Sequence, residues 1–313
     1  MSENNLINLG DVSKPAEILV ERFCDGVGGV FKPWQIRRIA KAEADAEITK
    51  AKGELEKQKL AQASEMAQTE IGQRAISRLV DQEIRNQINM ESILSIAIES
   101  VSKSSDPGNI SNQFVSKVFE NCKTVEEEEL QELWGKLIAS EANSPKSISQ
   151  KTIDILSSLD TEDARLFNSY LSFCFGIKTP GGMAIYPFLT PSVKPILEGT
   201  GLKFEELQHL SSLGLINFNT MGYHFTFGDN QKGDQVLRIV GVEGELIVIF
   251  HDDAPRQVQV GDTLLTRAGE QLARSARPKV VDGVFEALSS DLIADKRSVV
   301  SPWPRRQYED AES

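Results

Sequence analysis

Large apolar side chains return every three or four positions through the first half of the chain, the period of an amphipathic helix. Beyond about Thr179 that period breaks into short apolar runs separated by glycine and proline, which predicts strands and turns. The longest helical signal covers residues 34–101, where no proline and only two glycines, Gly53 and Gly72, interrupt a composition rich in Ala, Glu, Lys, Gln and Ile. Unbroken, that run would be roughly 100 Å long at about 1.5 Å per residue, so it must fold back or reach a partner. Apolar positions are sparse at first (Ile36, Ile39, Ile48, Leu55, Leu60, Met66), with alanines between them. From Ile71 they crowd: Ile71, Ile76, Leu79, Val80, Ile84, Ile88, Ile93, Leu94, Ile98 and Val101 keep helical spacing and are expected to bury one face in a core. Nine basic and seven acidic residues over 34–78 describe a mixed, solvated surface, and its small-residue stripe permits close approach of another helix. The arm therefore either self-associates or stands as a single solvated helix. No strict heptad is sustained, which argues against a long two-stranded coiled coil.

Ser13 can cap a short amphipathic helix in which Ile18, Leu19 and Phe23 share a face. A glycine-rich apolar hinge follows over 25–34 and admits two readings. Val27, Val30, Phe31 and Trp34 can insert into a membrane interface while Arg37, Arg38 and Lys41 face phosphates, or the hinge is a helix–helix elbow packed on its own protein. Glu17, Glu21 and Asp25 in the flanking helix favour the elbow.

Pro107 and Gly108 end the long helix. Phe114, Val118 and Phe119 mark a helix over 112–121, and Thr124 with Glu127 reads as a capping box opening the helix that holds Leu130, Leu133, Trp134, Leu137 and Ile138. Trp134, Leu137 and Ile138 are expected to anchor the core. Two more helices fit 149–159 and 162–175. Further on, 190–197 and 203–213 read as short helices, with 214–218 and 223–227 as a hairpin turning at Met221 and Gly222. Helix, turn, helix, hairpin is the order of a winged helix. Strands over 236–240, 245–251 and 257–260 and helices from 265 and over 282–293 complete the pattern. The expected fold is mainly α with a C-terminal α+β part. An amphipathic helix and hinge span 1–33, a long helical arm entering the core spans 34–105, and a helical bundle spans 106–178. A winged-helix-like domain spans 179–295 and a mobile tail 296–313.

A net charge of -12 over 313 residues argues against a general binder of nucleic acid or acidic membranes, because phosphate contacts need clustered Lys and Arg. Cys24, Cys122 and Cys174 are far apart and form no C-x-x-C, which suggests idle thiols in a reducing cytoplasm rather than disulfides or zinc. The start lacks a secretory pattern, and the most apolar short stretch, 246–250, is too short to span a bilayer. A cytoplasmic location, with peripheral membrane contact through the hinge as the exception, is the expectation.

No nucleophile elbow, phosphate loop or dinucleotide loop is present, so no enzyme, cofactor or small-molecule substrate is indicated. Glu126 to Glu129 suit a helix start better than a metal, and no metal ligands are assigned. Of His209, His224 and His251, only the last has acidic neighbours, which a strand end running into a turn explains. For DNA, the winged-helix-like helix offers Lys203 against Glu205 and Glu206, while Arg267, Arg274, Arg277 and Lys279 form the one basic cluster near it. A homo-oligomer or a partner protein meeting the arm is favoured over DNA.

Three stretches carry a resemblance: residues 7–16, the hinge over 28–43, and 129–143 with its Leu133-Trp134-Gly-Lys-Leu137-Ile138-Ala139 core. They resemble an uncharacterised bacterial family catalogued as a domain of unknown function, DUF2806. The same Leu-Trp-x-x-Leu-Ile-Ala segment, with Leu156-Ser-Ser-Leu-Asp160 later, is similar to the abortive-infection alpha group of phage-defence proteins. A role in phage defence is implied by that resemblance alone, and no catalytic residues come with it. The function expected is a non-enzymatic binding or scaffold protein that self-assembles; a DNA-binding regulator and a membrane-acting abortive-infection effector are the alternatives.

Overall fold

The computed structural model describes residues 13–27, 69–179, 182–226, 235–241, 244–251, 257–274, 276, 278–295 and 297–300. It is a mixed α plus β protein that divides into two compact units after Ser147.

The first unit is helical. Helix α1 (Lys14–Val27) and the long α2 (Glu70–Ser100) are followed by a 3-10 turn (Pro107–Asn109), α3 (Asn112–Cys122) and α4 (Glu128–Asn143). Its core gathers Leu19 and Phe23 from α1, Ile93 and Leu94 from α2, Phe114 and Val118 from α3, and Trp134, Leu137 and Ile138 from α4, all buried. Trp134, Leu137 and Ile138 therefore sit where the sequence pattern put them. Arg22 ties α1 to the loop before α3, donating from Nε (2.9 Å) and Nη2 (2.6 Å) to the Ile110 carbonyl. The capping box expected at Thr124 is absent. Helix α4 starts at Glu128, and Glu127 in the N-cap position makes no side-chain cap. The chain at 124–127 is still leaving α3, with Val125 N–H bonded to the Cys122 carbonyl (3.1 Å) and Gln131 Nε2 donating to the Val125 carbonyl (2.9 Å).

The second unit begins with α5 (Gln150–Ser158) and α6 (Thr161–Leu171), which the sequence pattern had grouped with the bundle. Asp160 caps α6 in a reciprocal box with Asp163. Strand β1 (Cys174–Thr179) starts earlier than expected, because the helix expected to reach residue 175 stops at Leu171. Next come β2 (Gly182–Pro187), α7 (Lys194–Gly199), α8 (Phe204–Ser212), β3 (Ile216–Thr226), β4 (Gln235–Val240), β5 (Glu245–Phe250) and β6 (Gln257–Leu265). Helices α9 (Arg267–Ala273) and α10 (Val284–Ala294) lead to β7 (Arg297–Val300). Five strands form a sheet in the order β2-β1-β4-β5-β7, and β3 pairs with β6 separately; every pairing is antiparallel.

Two expectations change here. The hairpin at Met221 and Gly222 is instead a single strand, β3, whose register with β6 shifts on both sides of Tyr223. Gly222, at φ +78°, makes a bulge rather than a reversal, which is what an isolated glycine inside a strand pattern commonly marks. The strand pair beside α8 is thus β3–β6. The tail expected to be mobile from 296 instead adds β7 to the sheet edge through 297–300. Arg297 fixes it: the guanidinium is buried, 5.2 Å over the Phe250 ring, paired with Asp295 (2.6 Å) and donating to the Gln257 carbonyl (2.7 Å). Residues 301–313 lie outside the described residues.

Candidate functional site

Helix α2 opens at Thr69, whose hydroxyl accepts from Gly72 N–H (3.0 Å), and Glu70 pairs with Arg74 one turn on (3.5 Å). From Thr69 to Arg85 no residue is buried. Only then do Asn86, Asn89, Met90, Ile93, Leu94 and Ala97 enter the core of the first unit. Asn89 donates to the Lys123 carbonyl (3.0 Å), and the Cys122 thiol lies 3.4 Å from the Met90 sulfur, so α3 begins to cover α2 at this level. About 25 Å of helix, at 1.5 Å per residue, stands clear of the bundle.

Large aliphatic side chains stand exposed along that length and just beyond it. Ile71 is 75% exposed, Leu79 67%, Val80 50%, Ile84 53% and Ile88 48%. The sequence pattern had placed these residues in a core face, and the structure corrects this. Helical period identifies the apolar positions but not the length of the neighbours. Helix α4, of 16 residues, is too short to accompany all 31 residues of α2. Exposed aliphatic residues this concentrated mark a contact surface more often than an ordinary surface. The charges along Glu70–Ile88 balance: Glu70, Asp81 and Glu83 against Arg74, Arg78 and Arg85.

The residues considered for DNA contact lie at the start of α8, on α9 and after α9. Lys203 is exposed at the start of α8, where its N–H bonds to Glu206 Oε2 (3.0 Å), and Glu205 is exposed beside it. Helix α8 packs on α6 and β3, whereas α9 packs on α5 and β6. Arg267, Arg274 and Lys279 are exposed, and Arg274 is paired with Glu270 (2.7 Å). Arg277 lies outside the described residues. Of the hinge residues, Val30, Phe31, Trp34, Arg37, Arg38 and Lys41 also lie outside them, and Val27 closes α1. No helix among the described residues is long and apolar enough to cross a membrane.

Three titratable side chains of the second unit tie elements together. His209 Nε2 meets Asp163 Oδ1 at 2.6 Å, joining α8 to the capped start of α6. His251 Nε2 meets the Ser298 hydroxyl at 2.7 Å, and Lys194 pairs with Asp262 at 2.6 Å. A cavity of about 490 Å³ lies between α6, β1, β2 and β4, lined mainly by apolar groups such as Leu171, Met183, Ile185 and Val240. Cys174 borders it, and burial pushes its thiol well above the ordinary range, as it does for Cys122. A thiol kept protonated is a poor nucleophile and a poor metal ligand. Among the described residues no group of three or more His, Cys, Asp or Glu side chains is placed to hold a metal ion.

Fold and site together define a two-unit α plus β protein whose most distinctive surface is an uncovered helix ridge. The family model described as "Protein of unknown function (DUF2806)" matches residues 73–280, and the chain belongs to that family. The match takes in Val80, Ile84 and Ile88 as well as the whole strand pair β3–β6. No curated protein and no solved structure is significantly similar to the chain.

Proposed function

We propose that the protein is a non-enzymatic scaffold or binding component that assembles with itself through its helical arm. The observation that carries this reading is the exposed apolar ridge of α2, a surface that water solvates poorly and that another protein surface can bury. A cytoplasmic setting belongs to the proposal through the dispersed cysteines, and a place in phage defence through the resemblance to the abortive-infection alpha group. Light scattering on the full chain across a concentration series tests the reading. A molar mass that rises to a multiple of 34.6 kDa supports it, and a constant monomer removes it.

A second reading is favoured by one observation. Helices α7 and α8, followed by the antiparallel pair β3–β6, keep the element order of a winged helix with β6 arriving after an insertion. On that reading Lys203, Arg267, Arg274 and Lys279 contact duplex DNA as a regulator. The acidic residues beside Lys203 and the pairing of Arg274 weigh against it. Duplex binding that weakens steeply with salt, and is lost when these residues are neutralised, would establish it; no binding at low salt would remove it.

A further inference from the structure

Along α2 each residue turns about 100°, so residues four apart form a row that drifts slowly round the helix. Val80, Ile84 and Ile88 form such a row, and each is about half exposed. The buried residues Asn86, Asn89, Met90, Ile93, Leu94 and Ala97 centre on another face, roughly 150° round from Ile84 at that rotation. The row is therefore not an overhang of the core face. The bundle of the first unit lies on the far side of the helix and cannot cover it.

The charges say what can. The stretch from Glu70 to Ile88 holds three acidic and three basic side chains, in a chain whose net charge is -12. A neutral ridge is where two copies of an acidic chain can approach without repulsion. Asp81 and Arg85 lie on one flank of the row, one turn apart and of opposite sign. Set two copies of the helix antiparallel with Ile84 against the partner's Ile84. Val80 then lies over the partner's Ile88. Asp81 falls two residues, about 3 Å, from the level of the partner's Arg85, on the same flank and within reach of its long side chain, and the symmetry repeats both contacts.

We propose that α2 pairs antiparallel with α2 of a second copy of this chain, centred on Ile84, with Asp81 facing the partner's Arg85. This rests on the self-assembly reading and specifies its interface. The test uses the full chain. Sedimentation equilibrium is run on the wild type, Ile84→Asp and Leu79→Asp, the last lying on the core-side face and outside the row. The expected result is a dimer for the wild type and Leu79→Asp and a monomer for Ile84→Asp, with all three giving the same circular dichroism.

Charge exchange adds a test that does not place an acid in the row. Asp81→Arg is expected to weaken dimerisation by tenfold or so, and Asp81→Arg with Arg85→Asp to restore it. Cysteine cross-linking reads the direction. Ile84→Cys should link to itself, and Val80→Cys should link to Ile88→Cys in a mixture but not to itself. Self-linking of Val80→Cys means a parallel pair and overturns the proposal. A wild type that assembles and is unaffected by Ile84→Asp also overturns it, while leaving self-assembly standing. A wild-type monomer overturns both. A monomer in which Ile84→Cys resists thiol labelling means that residues of the same chain, such as 28–68, cover the row instead.

Discussion

Gly135 of α4 lies so close to Ile96 of α2 that a Cβ on the glycine would come within 2.7 Å of the isoleucine Cβ and 2.8 Å of the Ile93 carbonyl oxygen. Two helices cross here with no room for a methyl group. Alanine would otherwise favour the helix by about 0.5–1 kcal/mol, since glycine is a poor residue for a helix interior. Overpacking against a backbone carbonyl costs typically 1–3 kcal/mol and should win. Gly135→Ala is therefore expected to lower the urea midpoint of the first unit. An unchanged or raised midpoint would show that the two helices can move apart freely.

The two halves of α2 should answer the same mutation differently. Leu94 is fully buried and Leu79 is 67% exposed, although they lie two heptads and one residue apart on one helix. Leu94→Ala removes packed atoms and leaves a cavity, for a loss of about 2–5 kcal/mol. Leu79→Ala removes a side chain that already meets water, and its effect should stay within about 0.5 kcal/mol. Denaturant unfolding of both variants at one low protein concentration makes the comparison. Equal losses would mean that the amino-terminal half of α2 is covered in solution.

How far these features were readable in the sequence follows from the range of the interaction behind each. Apolar spacing within one helix was dependable: Trp134, Leu137 and Ile138 are the core positions that the structure contains, whereas the capping box read at Thr124 is not formed. Features that depend on distant partners were not. Ile71 and Leu79 have the spacing of core residues and are left exposed beyond the reach of the short α4, while Ile84 lies on the face turned away from the bundle. Gly222 looks like a hairpin turn until β6 supplies a partner that runs past it. Arg297 looks like part of a charged tail until Phe250, Asp295 and the Gln257 carbonyl surround it. The ridge itself was visible as a pattern, but its exposure was not.

Tyr170 and Thr263 form a buried hydroxyl pair at 2.8 Å, linking α6 to β6. Burial pushes the Tyr170 phenol well above its ordinary range, so it stays a neutral donor and acceptor throughout the usual pH range. Tyr170→Phe alone strands the Thr263 hydroxyl, an unpaired buried group that costs about 1–3 kcal/mol. Adding Thr263→Val removes that second hydroxyl with little change of shape. The double variant is expected to regain much of the loss. A double variant whose loss equals the sum of the two single losses would mean that the hydroxyls do not depend on each other.

Asp291 on α10 joins that helix to the segment before α7. Its Oδ1 accepts from the Ser192 hydroxyl (2.6 Å) and its Oδ2 from the Ser192 N–H (2.8 Å). Partial burial pushes the carboxyl up, but these hydrogen bonds outweigh it and hold the group below its ordinary value. A carboxylate whose pKa is lowered by folding stabilises the fold above the unfolded value, near pH 4, and that share is lost as pH falls through the folded value. Asp291→Asn lacks this titration. The stability difference between wild type and variant should be constant from about pH 6 to pH 5 and shrink toward about pH 3, while other carboxylates titrate alike in both. The side chain is largely solvated, so the change should be modest. Thermal unfolding of the two proteins across that range measures it, and a difference that does not vary with pH would assign the contact no charge-dependent role.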